Sequence, residues 1–233
     1  MTRNSCKHRL MNGEHVIAVN LGGRNLDVMS SLAKFGAHAA FIDCERSGIG
    51  LDVATNLILE ARVAGITSLV RSWTKEPAVL VQYLDRRADG LVVPHVNTAR
   101  EVAEIVEVVR YACGEVVAQE KIVIVQIETM EAIRNLEEML LVPGVDAFLI
   151  GPNDLAYDIT GQRGVLTSEV ETAISEVSSR LRRESRPFGM PGRFENLNAF
   201  NSCGARFLYY PMEWLLERAL KELSGALDSS GSV

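Results

Sequence analysis

The sequence predicts an α/β fold, a single (β/α)8 barrel of the TIM type. Short apolar runs alternate with helical segments almost from end to end, which gives eight strand–helix units in 233 residues. Most strand runs are nearly continuous in apolar residues, as is typical of parallel strands that are covered on both faces. No linker rich in proline, glycine or serine divides the chain. We therefore expect one barrel domain at residues 1–227 and a disordered tail at residues 228–233.

The individual elements follow from the same patterns. Glycines 36, 65, 144 and 204 fall where helices give way to strands, which is the usual position of a helix cap. The predicted strands are His15–Leu21, Ala39–Glu45, Thr67–Arg71, Gly90–His95, Lys121–Glu128, Ala147–Gly151, Pro187–Met190 and Phe207–Tyr210. The predicted helices are Asn25–Lys34, Leu51–Ala64, Glu76–Arg87, Thr98–Tyr111, Met130–Leu140, Ser168–Arg183, Glu195–Asn201 and Glu213–Leu227.

A doubly wound open sheet is the alternative fold for such a pattern. That fold usually carries a glycine-rich phosphate loop after its first strand. This chain has only Gly22-Gly23 at that point, so the barrel is preferred.

Charge and composition exclude several classes of function. The net charge of −6 gives no basic surface for nucleic acid. No signal peptide or long apolar span is visible, so no association with a membrane is expected. The four cysteines form no Cys-x-x-Cys pair, which argues against a zinc ribbon or a disulfide framework and suits a reducing cytoplasm.

Two carboxylates end neighbouring apolar runs. Glu128 and Asp154 lie 26 positions apart, which corresponds to one strand–helix–strand step. The two acids are therefore expected side by side at the same end of adjacent parallel strands. Paired carboxylates of this kind bind hard cations such as Mg²⁺ or Mn²⁺. The alternative is that each acid only caps the helix that follows it.

Further polar residues stand at the ends of the other predicted strands, where barrel enzymes place their active sites. Unpaired polar groups are costly in a barrel mouth, so the cluster is expected to bind a polar ligand. Strands seven and eight offer mainly Met190–Arg193 and Tyr210-Pro211. The remaining strand-end residues are Asn20, Asp43, Glu45, Arg46, Arg71, His95, Gln126, Glu128, Asn153 and Asp154.

Taken in chain order, these residues resemble the HpcH/HpaI family of divalent-metal-dependent aldolases, which make or cleave 4-hydroxy-2-oxo acids such as 4-hydroxy-2-oxo-heptanedioate. The resemblance extends from about Val16 to Leu220. It rests on five segments: Phe41-Ile42-Asp43-Cys44-Glu45-Arg46, Arg71-Ser72-Trp73 with Pro77, Tyr83-Leu84-Asp85 with Gly90-Leu91-Val92-Val93-Pro94, Gln126-Ile127-Glu128-Thr129 and Gly151-Pro152-Asn153-Asp154-Leu155.

The resemblance implies a metal and a substrate. Glu128 and Asp154 would ligate Mg²⁺ or Mn²⁺, with Co²⁺ as a further option. A 2-oxo acid, pyruvate or oxaloacetate, would chelate that ion. Gln126 would orient the oxo acid. Its carboxylate would be held at the segment Gly151, Pro152 and Asn153, by backbone N–H groups near Asn153 and Asp154.

The resemblance also implies catalytic residues. Arg71 would donate to the keto oxygen and stabilise the enolate, while Asp85 and Asp43 would support the polar centre. The chemistry is reasonable in itself, because a cation and a fixed guanidinium offset the charge that develops when a proton leaves the carbon next to a ketone. For Arg71 the alternative is a salt bridge at the barrel rim with Asp43 or Glu45.

Two positions depart from the family pattern and mark the chain as a divergent member. Arg46 replaces a histidine that takes part in proton transfer, and arginine is a poor base at neutral pH. Arg46 would then bind an anionic part of the substrate or simply face solvent. His95 follows Pro94 at the end of strand four and would either supply the missing base or pack at the rim. The segment after Arg110-Tyr111 is also short, which removes much of a substrate-covering loop.

Three functions remain open on these grounds. The first is an aldolase that uses a pyruvate-type enolate with an aldehyde. The second is a synthase that joins oxaloacetate to an acyl-CoA, as a citrate-forming relative does in siderophore pathways. The third, favoured only by the changed histidine, is a non-catalytic protein that binds an oxo acid.

The family forms oligomers, often hexamers, with the C-terminal helix packing on a neighbouring subunit. A homo-oligomer, from a dimer or trimer to a hexamer, is therefore expected. The apolar face of the last helix, from Trp214 to Leu223, would serve as that contact or would pack on its own barrel.

Overall fold

The computed structural model describes residues 5–229 and shows a closed barrel of eight parallel strands. Each strand pairs with the next along the chain, and the last strand pairs with the first over the register Val16–Asn20 against Phe207–Pro211. This confirms the predicted (β/α)8 fold. The strands are β1 (Val16–Asn20), β2 (Ala39–Asp43), β3 (Thr67–Arg71), β4 (Gly90–Val93), β5 (Ile122–Ile127), β6 (Ala147–Ile150), β7 (Phe188–Pro191) and β8 (Phe207–Pro211).

Helices surround the barrel, and a 3₁₀ turn at Phe194–Asn196 precedes the eleventh helix. Within residues 5–229, no helix combines the length and the apolar content that a membrane crossing requires. The α-helices are α1 (Ser5–Met11), α2 (Met29–Lys34), α3 (Leu51–Ala64), α4 (Pro77–Asp85), α5 (Ala99–Cys113), α6 (Glu115–Ala118), α7 (Met130–Arg134), α8 (Leu136–Leu140), α9 (Pro152–Thr160), α10 (Ser168–Arg183), α11 (Leu197–Cys203) and α12 (Met212–Ser229).

The structure corrects several predicted helices. The helix predicted from residue 130 to 140 is two helices, because Asn135 donates its side-chain amide to the carbonyl of Asn97 at 2.9 Å and interrupts the run. The helix predicted from Asn25 begins only at Met29, since the Asn25 side chain bonds the carbonyl of Leu21 instead. The sequence patterns missed α1, α6 and α9. The last helix continues through Ser229, two residues into the predicted tail, and residues 230–233 lie outside the described part.

The apolar residues form two layers that explain the continuous strand runs. Inside the barrel, Phe41, Leu69, Ile124 and Phe207 pack together and are fully or almost fully buried. A second and larger layer fills the space between the sheet and the helices. Both faces of each strand are therefore withdrawn from water.

Helix α1 closes the amino-terminal end of the barrel. Its Cys6 and Leu10 side chains are buried in the same cluster as the barrel interior. The Lys7 ammonium lies 3.0 Å from the carboxylate of Asp146, just before β6. Because this end is plugged, a ligand can reach the interior only from the carboxyl ends of the strands.

Strands β7 and β8 approach each other closely at Gly189 in β7. A Cβ placed on this residue would lie 1.7 Å from the carbonyl oxygen of Phe207 in the adjacent strand. No side-chain rotation relieves that overlap, since the obstructing atom is backbone.

We expect Gly189→Ala to lower the free energy of unfolding by about 3 kcal/mol or more, because overpacking forces the two strands apart. Urea denaturation followed by circular dichroism measures the change. Gly225→Ala in α12 is the matched control, since its added Cβ meets no atom within 4 Å. That change should leave stability unaltered or raise it through helix propensity. Equal stabilities for the two variants would contradict the close strand contact.

Candidate active site

A cavity of about 570 Å³ opens at the carboxyl ends of the strands. Its wall combines buried strand-end residues with more exposed groups at the rim. Of the residues predicted from the sequence, it is lined by Asp43, Arg46, Arg71, Gln126, Gly151, Pro152, Asn153 and Asp154. Asn20, one of the predicted strand-end residues, also lines it, as do Arg163, Tyr209 and Trp214, which were not among the predicted site residues.

Arg71 is held in the cavity wall by a two-pronged ion pair. Its Nε donates to Asp43 Oδ1 at 2.9 Å, and its Nη2 donates to Asp43 Oδ2 at 2.6 Å. The two side chains are 12% and 2% exposed, so water screens the pair poorly. Burial alone would lower the pKa of Arg71, but the Asp43 carboxylate raises it further above its usual value. The guanidinium is therefore a permanent and immobile cation.

Glu45 lies against the same guanidinium. Its Oε2 is 3.2 Å from Arg71 Nε but makes no aligned hydrogen bond, and burial raises the pKa of this carboxyl. The salt bridge of Arg71 with Asp43 or Glu45, which was the alternative expected from the sequence, is thus present. Among the described residues, however, none accepts a hydrogen bond from Arg71 Nη1, which leaves that donor for a ligand.

Glu128 is a buried carboxylate at the end of β5. Its Oε1 accepts from the backbone N–H of His95 at 2.6 Å, and its Oε2 accepts from the side chain of Gln126 at 2.5 Å. Burial would raise the pKa of Glu128, but the hydrogen bonds from His95 and Gln126 outweigh it and lower the pKa below its usual value. The group is therefore ionised at neutral pH although its side chain is only 2% exposed.

His95 sits above this carboxylate with a strained backbone. Its φ of 58° is a left-handed value that non-glycine residues rarely adopt. The ring Nδ1 lies 3.0 Å from Glu128 Oε1, and Nε2 lies 3.5 Å from Glu45 Oε1. The hydrogen bond to Glu128 raises the pKa of His95. The ring thus bridges two carboxylates beside the cavity, and its role as the replacement base stays a prediction.

Asp154 lies in the first turn of α9 and is shared by two arginines. Arg46 Nη2 donates to Oδ1 at 2.8 Å, while Arg163 Nη2 lies 2.6 Å from Oδ1 and donates to Oδ2 at 2.8 Å. Arg46 therefore does not simply face solvent. Sequence reasoning missed Arg163 because it stands in the loop after α9, a helix that the sequence patterns did not reveal.

Asp85 is not brought to this site. It is exposed at the carboxyl end of α4, five residues before β4 begins. Because the helix runs back antiparallel to the strands, its last residue lies at the closed end of the barrel. Within one chain, the predicted support role of Asp85 has no geometric basis.

The structure also corrects the choice of tyrosine on β8. Side chains alternate along a strand, so Tyr209 and Tyr210 face opposite sides. Tyr209 faces the cavity, whereas Tyr210 points outward and contacts the ring of Trp214 with centroids 5.5 Å apart. The sequence pattern points to Tyr210 at the strand end, because adjacent tyrosines give no signal of which one faces inward.

The residues present suit a hard divalent cation. Around the mouth, the carboxylates of Asp43, Glu45, Glu128 and Asp154 outnumber the guanidiniums of Arg46, Arg71 and Arg163. Gly151 leaves the Glu128 carboxylate uncovered, since a Cβ there would lie 3.2 Å from Oε2. Gln126 Oε1 is buried without a partner among the described residues.

The protein would supply few of the ligands to such an ion. Within residues 5–229, no group of three or more His, Cys, Asp and Glu side chains is arranged to bind a metal. A site with one or two carboxylates completed by substrate and water is the pattern of Mg²⁺ rather than of structural zinc.

Comparison with known proteins decides the family. A family model described as HpcH/HpaI aldolase/citrate lyase matches residues 17–188, which is most of the chain. The chain belongs to the HpcH/HpaI family. This family is generally dependent on divalent metals, and the curated relatives described next are named as aldolases, which are carbon–carbon lyases.

Curated relatives at low identity support the assignment. A 4-hydroxy-4-methyl-2-oxoglutarate aldolase of Chaetomium globosum is 29% identical over 210 residues, which cover 78% of each chain. A 4-hydroxy-2-oxo-heptane-1,7-dioate aldolase of Shigella flexneri is 28% identical over 254 residues, 99% of this chain and 95% of that protein. At these identities the chain is a divergent member, as the sequence motifs indicated.

Solved structures share the fold. An HpcH/HpaI aldolase/citrate lyase family protein from Burkholderia cenocepacia J2315 superposes with a TM-score of 0.86 at 21% identity, covering 96% of this chain and 99% of that one. The citrate synthase SbnG superposes with a TM-score of 0.85 at 22% identity, covering 99% and 100%. At such identities these likenesses show the barrel and not the reaction.

Removing the charge of Asp43, the partner of the buried Arg71 guanidinium, should lower the stability of the protein. We expect Asp43→Asn to lower the free energy of unfolding by about 3 kcal/mol, because Arg71 is then left buried with only Glu45 as a counter-charge. Chemical denaturation measures the loss. Arg100→Gln is the control, since it breaks an exposed ion pair with Glu104 that contributes little. If both variants keep wild-type stability, the Asp43–Arg71 pair does not organise the mouth.

Proposed function

We propose that this protein is a divalent-metal-dependent aldolase that forms or cleaves a 4-hydroxy-2-oxo acid through the enolate of pyruvate. The observation that carries the proposal is the grouping, at the carboxyl ends of the strands, of two carboxylates and an immobile guanidinium with a free donor. Glu128 and Asp154 supply the carboxylates, and Arg71 supplies the guanidinium.

We assign the cofactor as Mg²⁺ or Mn²⁺, with Co²⁺ as a further option, held by Glu128 and Asp154. A bound divalent ion polarises the keto oxygen of the oxo acid, which makes the neighbouring methyl protons more acidic. The rest of the chemistry falls to residues of the chain. Arg71 Nη1 donates to the same oxygen and stabilises the charge that develops there.

The first turn of α9 suits the carboxylate of the oxo acid. Pro152 occupies the first position of the helix, and the N–H groups of Asn153 and Asp154 have no hydrogen-bond partner among the described residues. Free N–H groups at a helix amino terminus bind anions. The side chain of Gln126, buried at the cavity floor, then orients the oxo acid from below.

A synthase that joins oxaloacetate to an acyl-CoA is the second candidate. Arg46 and Arg163, which stand at the rim near the cavity opening, are the observation that favours it, since exposed guanidiniums bind phosphate groups. Release of free coenzyme A from acetyl-CoA, dependent on oxaloacetate, would identify this reaction. The likeness to the citrate synthase SbnG supports the shared fold only.

The decisive experiment follows enolate formation without any second substrate. We expect Mg²⁺ or Mn²⁺ to drive exchange of the pyruvate methyl protons in D₂O, measured by loss of their proton NMR signal. Glu128→Gln and removal of metal with EDTA should each slow the exchange by about 100-fold or more, since both remove charge stabilisation at the developing oxyanion. Glu104→Gln, a change at an exposed carboxylate, should not alter the rate.

Exchange that is absent from the wild-type protein with every metal would rule out the pyruvate-enolate reaction. Exchange that persists in Glu128→Gln would leave the reaction in place but remove Glu128 from it. Thermal melting of each variant distinguishes loss of chemistry from loss of fold.

We also propose that the protein is a homo-oligomer whose subunits meet along α12. The first turn of this helix packs on the barrel through Trp214, which contacts Tyr210. Beyond that turn, Leu216, Leu220, Leu223 and Leu227 are 55%, 62%, 62% and 75% exposed. Their spacing of four, three and four residues is the seam of a coiled coil, which a second copy of the same helix complements.

We expect Leu220→Lys to shift the protein to smaller species, because a charge in the seam opposes burial. Size-exclusion chromatography with light scattering measures the mass and thus decides among a dimer, trimer and hexamer. Leu141→Lys is the control, as Leu141 is 83% exposed and lies away from α12. A wild-type monomer, or an unchanged mass in the α12 variant, would contradict the proposal.

The four cysteines favour a cytoplasmic location. None of the four forms a disulfide, and burial raises the pKa of Cys44 to about 11, so this thiol is unreactive at neutral pH. A protein whose cysteines form no disulfide suits a reducing compartment.

A further inference from the structure

The hydrogen bonds of Asn20 fix the orientation of its amide. Asn20 Oδ1 accepts from the backbone N–H of Gly22 at 3.0 Å. Its Nδ2 lies 3.3 Å from Asp43 Oδ2, which is a carboxylate oxygen and can only accept. In a flipped amide, the Asn20 oxygen would face the acceptor Asp43 Oδ2, and the Asn20 nitrogen would face the backbone N–H of Gly22. The nitrogen of Asn20 therefore faces Asp43 and, on its other side, Tyr209.

This orientation determines what the hydroxyl of Tyr209 does. Asn20 Nδ2 donates to Tyr209 Oη at 2.5 Å, so the tyrosine oxygen is the acceptor in this contact. A phenol has one proton of its own to donate. Among residues 5–229, no group accepts that proton, and the hydroxyl stands at a wall of the cavity. Tyr209 thus presents an unused donor to a ligand.

The ring of Tyr209 is held rigidly. It packs edge-on against Phe41, with centroids 4.7 Å apart and planes at 79°. Arg71 lies over the same Phe41 ring at 5.5 Å. Phe41 therefore positions two cavity-facing groups at once, the guanidinium from β3 and the phenol from β8. Burial raises the pKa of Tyr209, so the phenol keeps its proton at neutral pH.

The two donors stand on different strands, although both pack on the ring of Phe41. Arg71 and the carboxylates Glu128 and Asp154 stand on β3, β5 and the β6 end, and the proposed function assigns them to the enolate. Tyr209 and Asn20 stand on β8 and β1, which are adjacent strands in the closed sheet. An aldol reaction has a second oxygen that needs stabilisation, the carbonyl oxygen of the acceptor, and no residue has yet been given to it.

We propose that the Tyr209 hydroxyl donates a hydrogen bond to the carbonyl oxygen of the acceptor aldehyde, which makes it a catalytic residue of the carbon–carbon bond-forming step. This inference rests on the proposed aldolase function. In the condensation direction, the enolate carbon attacks the carbonyl carbon and the C=O π pair moves onto the oxygen. Tyr209 stabilises that alkoxide without giving up its proton, and the alkoxide takes a proton from water. Cleavage is the reverse of these steps.

Tyr209→Phe tests the assignment, because it removes the hydroxyl and keeps the ring on Phe41. Two rates are compared with wild type in Mg²⁺: methyl-proton exchange of pyruvate alone in D₂O, and condensation of pyruvate with acetaldehyde or glyoxylate. We expect exchange to stay within about threefold, while kcat of condensation falls about 100-fold or more, as on loss of an oxyanion donor. Tyr210→Phe, the same change at the outward-facing neighbour, should alter neither rate.

Each result decides the question. Normal condensation by Tyr209→Phe overturns the proposal. Equal loss of exchange and condensation also overturns it, since the hydroxyl would then serve the enolate or the shape of the site. No exchange by wild type would instead refute the proposed function, and the role of Tyr209 with it. Only selective loss of condensation supports the acceptor-oxygen role.

Discussion

The buried pair of Asp43 and Arg71 is the interaction on which the barrel mouth depends. One carboxylate at the end of β2 binds the guanidinium at the end of β3 and accepts hydrogen bonds from the backbone of Glu45 and Arg46 in the turn that follows. It also fixes the amide of Asn20. Because the pair is withdrawn from water, each of these contacts is stronger and more directional than it would be at the surface. The Asp43 carboxylate thereby fixes the relative positions of β2, β3, the turn after β2 and the side chain of Asn20.

The other two carboxylates of the proposed metal site, Glu128 and Asp154, are held in different ways. Glu128 stays ionised in a buried position only because His95 and Gln126 donate to it, and the backbone of His95 adopts a left-handed conformation to do so. Strain of this kind costs about 1–3 kcal/mol and persists where the surrounding structure imposes it. Asp154, in contrast, is shared by two half-exposed guanidiniums at the rim. Glu128 is thus buried, whereas Asp154 is partly exposed to solvent. This combination suits a site that binds an ion together with its ligand.

Sequence patterns were sufficient for the barrel and for most of the cavity wall. Apolar runs and helix caps locate all eight strands, and strand-end motifs identify Arg71, Gln126, Glu128 and Asp154 because these residues stand in or shortly after the carboxyl ends of buried strands. The patterns failed where a side chain acts through tertiary contact. Tyr209 and Tyr210 are identical in type and adjacent, so only the barrel shows which faces inward. Asp85 matches a family motif, but it ends helix α4 and therefore lies at the closed, amino-terminal end of the barrel.

Because helix α1 closes one end of the barrel, the cavity opens only at the carboxyl ends of the strands. With the amino-terminal end sealed by Cys6 and Leu10, every reactant enters and every product leaves past the arginines of the rim. Gln126 in the cavity wall and the neighbouring Glu128 are 1% and 2% exposed, whereas Arg46 and Arg163 at the rim are 39% and 43% exposed. A ligand bound against Gln126 would therefore lie behind a second molecule bound at the rim. For the proposed aldolase, this arrangement would require the oxo acid to bind before the acceptor and to leave after it.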